Sequence, residues 1–221
     1  MAQPSNGGEY ERTLRDIATN GVFTFEQYRE TGLSRHSLYT QARKGRVVRL
    51  QHGVYSIEAS PSIVQFAQAA VLASGVDSYV SHLSAAALWG LIELEAPHPI
   101  ALLRRSGSGY KGQGVHVRVS PNLVPEECTM RHGIPVTTVP RTLLDVASWA
   151  PARFAEQVTG AALRTSVLSI DELHATIRRH PRARGVERLR RLFELVTNDE
   201  VAWTRSRAEE RFLRLVVEGN L

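Results

Sequence analysis

The sequence predicts an α+β fold: a small helical unit closed by a β-hairpin, then a mixed α/β domain with a helical C-terminal part. Three observations predict it. Three short helical patterns within residues 9–44 are separated by tight turns. The segment VVRLQHGVYSI follows them, rich in β-branched residues and centred on His52-Gly53, a hairpin signature. Beyond residue 60, three strand-like runs, 100–104, 115–119 and 134–137, are set among helical patterns.

Residues 1–8 are polar and Gly-rich and read as a loose arm. Tyr10, Leu14 and Ile17 then recur at helical spacing, predicting a first helix over 9–20. Thr24 caps a short second helix, 25–31, and Gly32-Leu33 makes the turn. Ser34 caps a third helix, 35–44, which Gly45 stops. Three helices and a following hairpin suit a winged helix-turn-helix, assigned to residues 1–60. Residues 61–200 form the second, mixed domain, with helices over 62–74, 81–91, 140–149, 151–164, 170–179 and 185–197. A last segment, 201–221, carries an amphipathic helix over 204–218.

Length and composition bound the function. A chain of 221 residues allows one or two domains, and 43% apolar residues suffice for a packed core. No run approaches the roughly 18 uncharged apolar residues of a membrane span. The N-terminus, MAQPSNGGEYER, lacks the apolar region of a secretory signal. Cys128 is the single cysteine, which excludes an internal disulfide and a zinc cluster and points to a reducing, cytoplasmic setting. Net charge is +5 and the pI near 9.8, a balance that suits nucleic acid or an anionic membrane surface. Lys44 and Lys111 are the only lysines, and Arg richness also fits a GC-rich genome. The distribution of charge therefore says more than its sum.

That distribution is uneven. From Arg35 to His52 there are five Arg or Lys residues and no Asp or Glu, a phosphate footprint rather than a solvated face of alternating signs. At about 100° per residue, Leu38 and Ala42 share one side of the third helix, and the polar residues spread over the other. Residues near a recognition helix's start meet base edges, so Arg35, His36, Tyr39 and Thr40, after the Ser34 cap, are the candidates for base readout. Arg43, Lys44 and Arg46 are the candidates for phosphates, and the wing adds Arg49, Gln51 and His52. The alternative is a winged helix kept as a protein-interaction module.

Other motifs carry less. His82, Ser81 and Ser84 lack an orienting acid, and Ser81 is a natural helix cap. The run SGSGYKGQG lacks the spacing and Lys-Ser/Thr of a phosphate-binding loop and reads as a mobile hairpin loop, with Tyr110 and Lys111 at its tip free for DNA or a partner. Arg141 and Asp145 stand four apart and predict an intrahelical ion pair. Residues 178–191 hold seven Arg and one Glu, either a solvated surface or a second DNA contact. No catalytic residue, metal or cofactor is expected, since the histidines do not cluster with acids at ligand spacing.

The stretch GLSRHSLYTQARKGRVVRLQHGVYSI resembles the N-terminal domain of AbiEi-type antitoxins, and SHLSAAALWGL and GIPVTTVPRTLLDVA resemble recurring segments of that family's second domain. The resemblance covers roughly residues 10–200. It implies a DNA-binding antitoxin of a type IV toxin-antitoxin system, repressing its own promoter and paired with a nucleotidyltransferase-like toxin encoded beside it. A second resemblance lies in TRSRAEERFLRLV, which is similar to the opening helix of very-short-patch-repair-like endonuclease domains. In those domains the helix supplies a metal-binding Glu to a PD-(D/E)xK-type site, by position Glu209. The alternative function it implies is a truncated endonuclease lacking its catalytic core.

Overall fold

The computed structural model describes residues 7–107, 110–165 and 167–197. The expected helix over 204–218, with Glu209, lies outside the described residues. The fold is α+β, with helices and sheets mixed along the chain, and it comprises two compact units. The first takes residues 1–80, 94–122 and 132–135. The second takes 81–93, 123–131 and 136–221.

The first unit opens with α1 (Gly7–Ile17), β1 (Val22–Thr24), α2 (Phe25–Glu30), α3 (Arg35–Arg43), β2 (Val48–Gln51) and β3 (Val54–Ser56). β3 lies between β1 and β2 and runs antiparallel to both, pairing Phe23 and Arg49 with Tyr55. Three helices and a three-stranded sheet ending in the β2–β3 hairpin are the winged helix-turn-helix. β1 is absent from the sequence-based expectations, because three residues are too few to show an alternation. The signal was in the turn before it. Asn20-Gly21 adopts left-handed φ values of 52° and 74°, and Thr19 and Val22 exchange backbone hydrogen bonds across it. That is the turn Asn-Gly favours between strands.

Apolar residues hold this unit in two clusters. Tyr10 and Leu14 of α1, Phe23, Tyr28 of α2, Leu38 of α3, Val47 and Tyr55 form one. The Phe23 ring stacks on those of Tyr28 and Tyr55 at 6.1 and 5.7 Å. Val22, Leu50 and Val54 form the other with Ala69 of α4 (Ile63–Ser74), against which Phe66 also packs. The sheet is thus apolar on both faces. α1–α3 cover one, and α4 covers the other.

The unit continues through β4 (Ser78–Val80), β5 (Ile100–Arg104) and β6 (Val115–Val119). β4 and β5 are antiparallel. β5 and β6 are parallel, Ile100 opposite Val115 and Arg104 opposite Val119. This corrects the expected hairpin loop between them. Parallel neighbours must be entered from the same end, so the chain returns to the start of β5 before β6 begins.

The second unit centres on α6 (Val139–Trp149), which packs against α5 (His82–Leu88), α7 (Ala152–Arg164), α8 (Ile170–Arg179) and α9 (Val186–Thr197). Every α6 residue from Val139 to Ala147 is buried. A helix surrounded on all sides must pair its polar groups internally. β7 (Cys128–Arg131) follows a 3-10 turn, Pro125–Glu127; the tight His132-Gly133 turn after it belongs to the first unit, and β8 (Ile134–Thr137) is divided between the two. Ser81 stands at the N-cap of α5, as expected, although its hydroxyl makes no capping hydrogen bond. The hydroxyl lies 2.9 Å from Nδ1 of His82, whose φ is 55°.

Candidate nucleic-acid interface

α3 is built as an exposed helix anchored on one stripe. The Ser34 hydroxyl accepts the Ser37 N–H at 3.1 Å, satisfying one of the free donors of the first turn. The Ser34 carbonyl accepts the Tyr28 hydroxyl at 3.2 Å, and Tyr10 in turn donates to the Tyr28 oxygen at 3.4 Å. A line of two phenols thus ties α1 and α2 to the start of α3. Burial, helped by the Tyr28 hydroxyl, raises the Tyr10 pKa, and burial likewise raises that of Tyr55. Both phenols stay neutral. Leu38 is fully buried and Ala42 half-buried, the two positions expected to face inward. Gly45, at φ 69°, ends the helix, and Val47 re-enters the core.

The opposite side faces solvent. Arg35, His36, Tyr39, Arg43, Lys44 and Arg46 are exposed and Thr40 is half-buried. Tyr39 keeps 44% of its surface exposed. Arg35 is held rather than free. Its Nε donates to the Tyr39 hydroxyl at 2.9 Å, and its guanidinium lies 5.3 Å from the Tyr39 ring and 5.5 Å from the Phe25 ring. The terminal amino groups keep their donors for a bidentate partner. Phe25, the first residue of α2, is the part of this arrangement that sequence reasoning missed.

Arg49 is exposed on β2, its Nε donating to the Gln51 carbonyl at 3.3 Å, and His52 is exposed at the hairpin tip. Gln51 departs from expectation. It is only 7% exposed, and its amide turns to residues 110–113 rather than outward. Among the described residues no carboxylate forms a salt bridge with Arg35, Arg43, Lys44, Arg46 or Arg49, and residues 31–57 contain no Asp or Glu. A surface of cations with no acidic partner among the described residues, on the exposed side of α3 and the hairpin, attracts a polyanion.

The second unit's charges are spent differently. Arg141 lies within 3.0 Å of Asp145, the expected intrahelical pair. It also reaches Glu127 at 2.6 Å, which sequence reasoning missed. Glu127 is fully buried and further accepts from Arg179 at 3.2 Å and stands 2.7 Å from His180 Nε2. Burial alone would lower the Arg141 pKa, but Asp145 and Glu127 more than offset it and hold the guanidinium above its usual value. In the Arg-rich stretch, Arg188 donates to the carbonyls of Ala147 and Ala150, Arg184 lies 6.0 Å from the Trp149 ring, and Arg191 pairs with Glu187. Four of its seven arginines therefore brace the unit itself.

An exposed, acid-free recognition helix followed by a basic hairpin defines the class: a winged helix-turn-helix with a basic outer face. Residues 12–57 match the family described as "Transcriptional regulator, AbiEi antitoxin". The match runs from α1 to just past β3 and so spans the three helices and the wing. It bears out the resemblance drawn from GLSRHSLYTQARKGRVVRLQHGVYSI. No curated protein matches the chain. No described helix is long and apolar enough to cross a membrane.

Proposed function

We propose that this chain is a sequence-specific repressor that binds duplex DNA at its own promoter and serves, in the cytoplasm, as the antitoxin of a type IV toxin-antitoxin system. On this reading it has no catalytic role, and its toxin is a nucleotidyltransferase-like protein encoded nearby. Arg35, His36, Tyr39 and Thr40 read base edges, with Ser34 holding the start of the helix. Arg43, Lys44, Arg46, Arg49 and His52 contact phosphates.

One observation carries the DNA-binding part: the outer face of α3 and the wing is exposed and basic, with no carboxylate in residues 31–57. The family match over residues 12–57 supports the regulatory and antitoxin parts. The test is a gel shift of the purified chain on the region upstream of its gene and on a scrambled duplex, from low to moderate salt. Tighter binding to the upstream duplex is expected, with affinity falling steeply with salt. A flat salt dependence removes the phosphate contacts. Equal affinity for both duplexes removes specificity, and a promoter reporter unaffected by the chain removes autorepression. Co-expression with the neighbouring toxin gene checks the antitoxin role. Rescue of growth is expected without a stable complex between the two proteins, and a stable complex would point to direct neutralisation.

A further inference from the structure

Two acid-free stretches meet at the wing. Residues 31–57 and 96–125 both lack Asp and Glu, and the second carries Arg104, Arg105, Lys111 and Arg118. Because β5 and β6 are parallel, the chain returns to the start of β5 before β6 begins, and residues 110–113 come beside the β2–β3 hairpin. Gln51 receives them. Its Nε2 donates to the Gln113 carbonyl at 2.8 Å, and its Oε1 accepts from the Tyr110 hydroxyl at 3.1 Å. A nearly buried amide with both ends engaged fixes the approach. A Cβ at Gly112 would clash with the Tyr110 ring and the Gln51 amide oxygen, so a side chain there forces the two clasp residues to shift.

The two segments enclose an open cleft of about 400 Å³. Arg49 and His52 line it from the wing and Lys111 from the facing segment; all three are exposed, and no lining residue is acidic. We propose that this cleft is a second phosphate-binding element of the DNA interface, in which Lys111, held beside the wing by Gln51, grips the duplex backbone flanking the site that α3 reads. The inference rests on the DNA-binding reading above and extends it to residues beyond the winged helix. A lysine ammonium is a compact point charge that suits a phosphate, and it carries no base information. The contact therefore strengthens binding on every sequence alike.

The test uses the full chain with the upstream duplex and a scrambled duplex of equal length. Lys111→Ala should weaken binding several-fold on both and lower the log–log salt slope by about 0.9, the release expected from one phosphate contact. Lys111→Glu should weaken it further. Gln51→Ala, and Gly112→Ala as a clasp-breaking variant that leaves the wing's side chains intact, should each match Lys111→Ala. Adding Lys111→Ala to either should then cost nothing more. Melting curves of all variants check that the fold is kept. Wild-type affinity and slope in both Lys111 variants overturn the proposal, as do additive losses in the double variants. Failure of the wild-type chain itself to bind either duplex overturns the DNA reading and this inference together, and it is distinguished by occurring before any substitution.

Discussion

The Arg35 guanidinium lies against the Tyr39 ring one helical turn away, with its Nε donating to the phenolic oxygen at 2.9 Å. The Phe25 ring flanks the same guanidinium at 5.5 Å. An arginine so placed has already surrendered much of its rotamer freedom. The usual cost of immobilising a long side chain on binding is correspondingly reduced.

On the proposed reading, Arg35→Ala is expected to weaken binding to the upstream duplex by about 1–3 kcal/mol, and binding to scrambled duplex by less, because it would remove a bidentate base contact. Tyr39→Phe keeps the ring but removes the acceptor, so it should fall between wild type and Tyr39→Ala. The Arg35→Ala, Tyr39→Ala double variant should lose less than the sum of the singles, since each residue acts partly through the other. Equal losses on both duplexes would reduce these residues to backbone positioning. Titrations of both duplexes at fixed salt provide the measurement.

Tyr28→Phe isolates the tie between the helices. It deletes the hydroxyl that donates to the Ser34 carbonyl and accepts from Tyr10, while leaving the ring that stacks on Phe23. A loss of about 1 kcal/mol of stability is expected, the usual net worth of an internal hydrogen bond. An unchanged melting temperature would show that the line of phenols does not hold the start of α3.

The helices were legible in the sequence because their signals are local. Ser34, Thr24 and Gly45 act within a turn of the residues they cap, and Leu38 and Ala42 face inward as their spacing requires. Strands β5, β6 and β8 were legible as strand-like runs. β1, β4 and β7 were not, being short runs with no hairpin turn or apolar alternation recognised beside them. The parallel pairing of β5 and β6 has no local signature, since the loop between them has the Gly-rich composition of a hairpin. The same divide runs through the candidate interface. The polar face of α3 follows from 100° spacing alone. The turn of Gln51 toward Tyr110 and Gln113 depends on partners about 60 residues away. Arg141 showed its near partner Asp145, whereas Glu127, Arg179 and His180 came together only through the packing of three separate segments.

Alkaline pH should loosen the winged helix. The Tyr10 and Tyr55 pKa values are raised above the ordinary value of 10 chiefly by burial. The folded state therefore keeps protons that the unfolded chain gives up. That contribution is fully present below pH 10 and is lost as pH rises through the range between the unfolded and folded values. Stability should be level near neutrality and decline above pH 10, and Tyr10→Phe should make the decline shallower. Chemical denaturation at a series of pH values measures it, and a wild-type curve that stays level above pH 10 would show that these phenols are not shielded in solution.

The Glu127 cluster should respond in steps that follow burial. Glu127 and Arg141 are both almost wholly inaccessible, and loss of either leaves the other charged and buried with its shortest ion pair gone. Breaking such a pair from one side costs about 3–5 kcal/mol, because the remaining charge keeps its desolvation penalty without its partner. Glu127→Ala removes the closer of Arg141's two carboxylate partners, and Arg141→Ala removes the buried cation shared by Glu127 and Asp145; both should fall in that range. Arg179 also touches Glu127, but 39% of its side chain is exposed. Water screens that contact and can solvate what remains, so Arg179→Ala should cost no more than about 1 kcal/mol. Glu127→Gln tests whether charge or shape dominates. The neutral amide keeps an oxygen for Arg141 but turns its amino group toward other donors, so a loss between those of Arg179→Ala and Glu127→Ala is expected. Denaturant unfolding of the four variants gives the series. Equal costs for Arg179→Ala and Arg141→Ala would mean that burial does not set the strength of these pairs, and that the cluster in solution is more open than its geometry here.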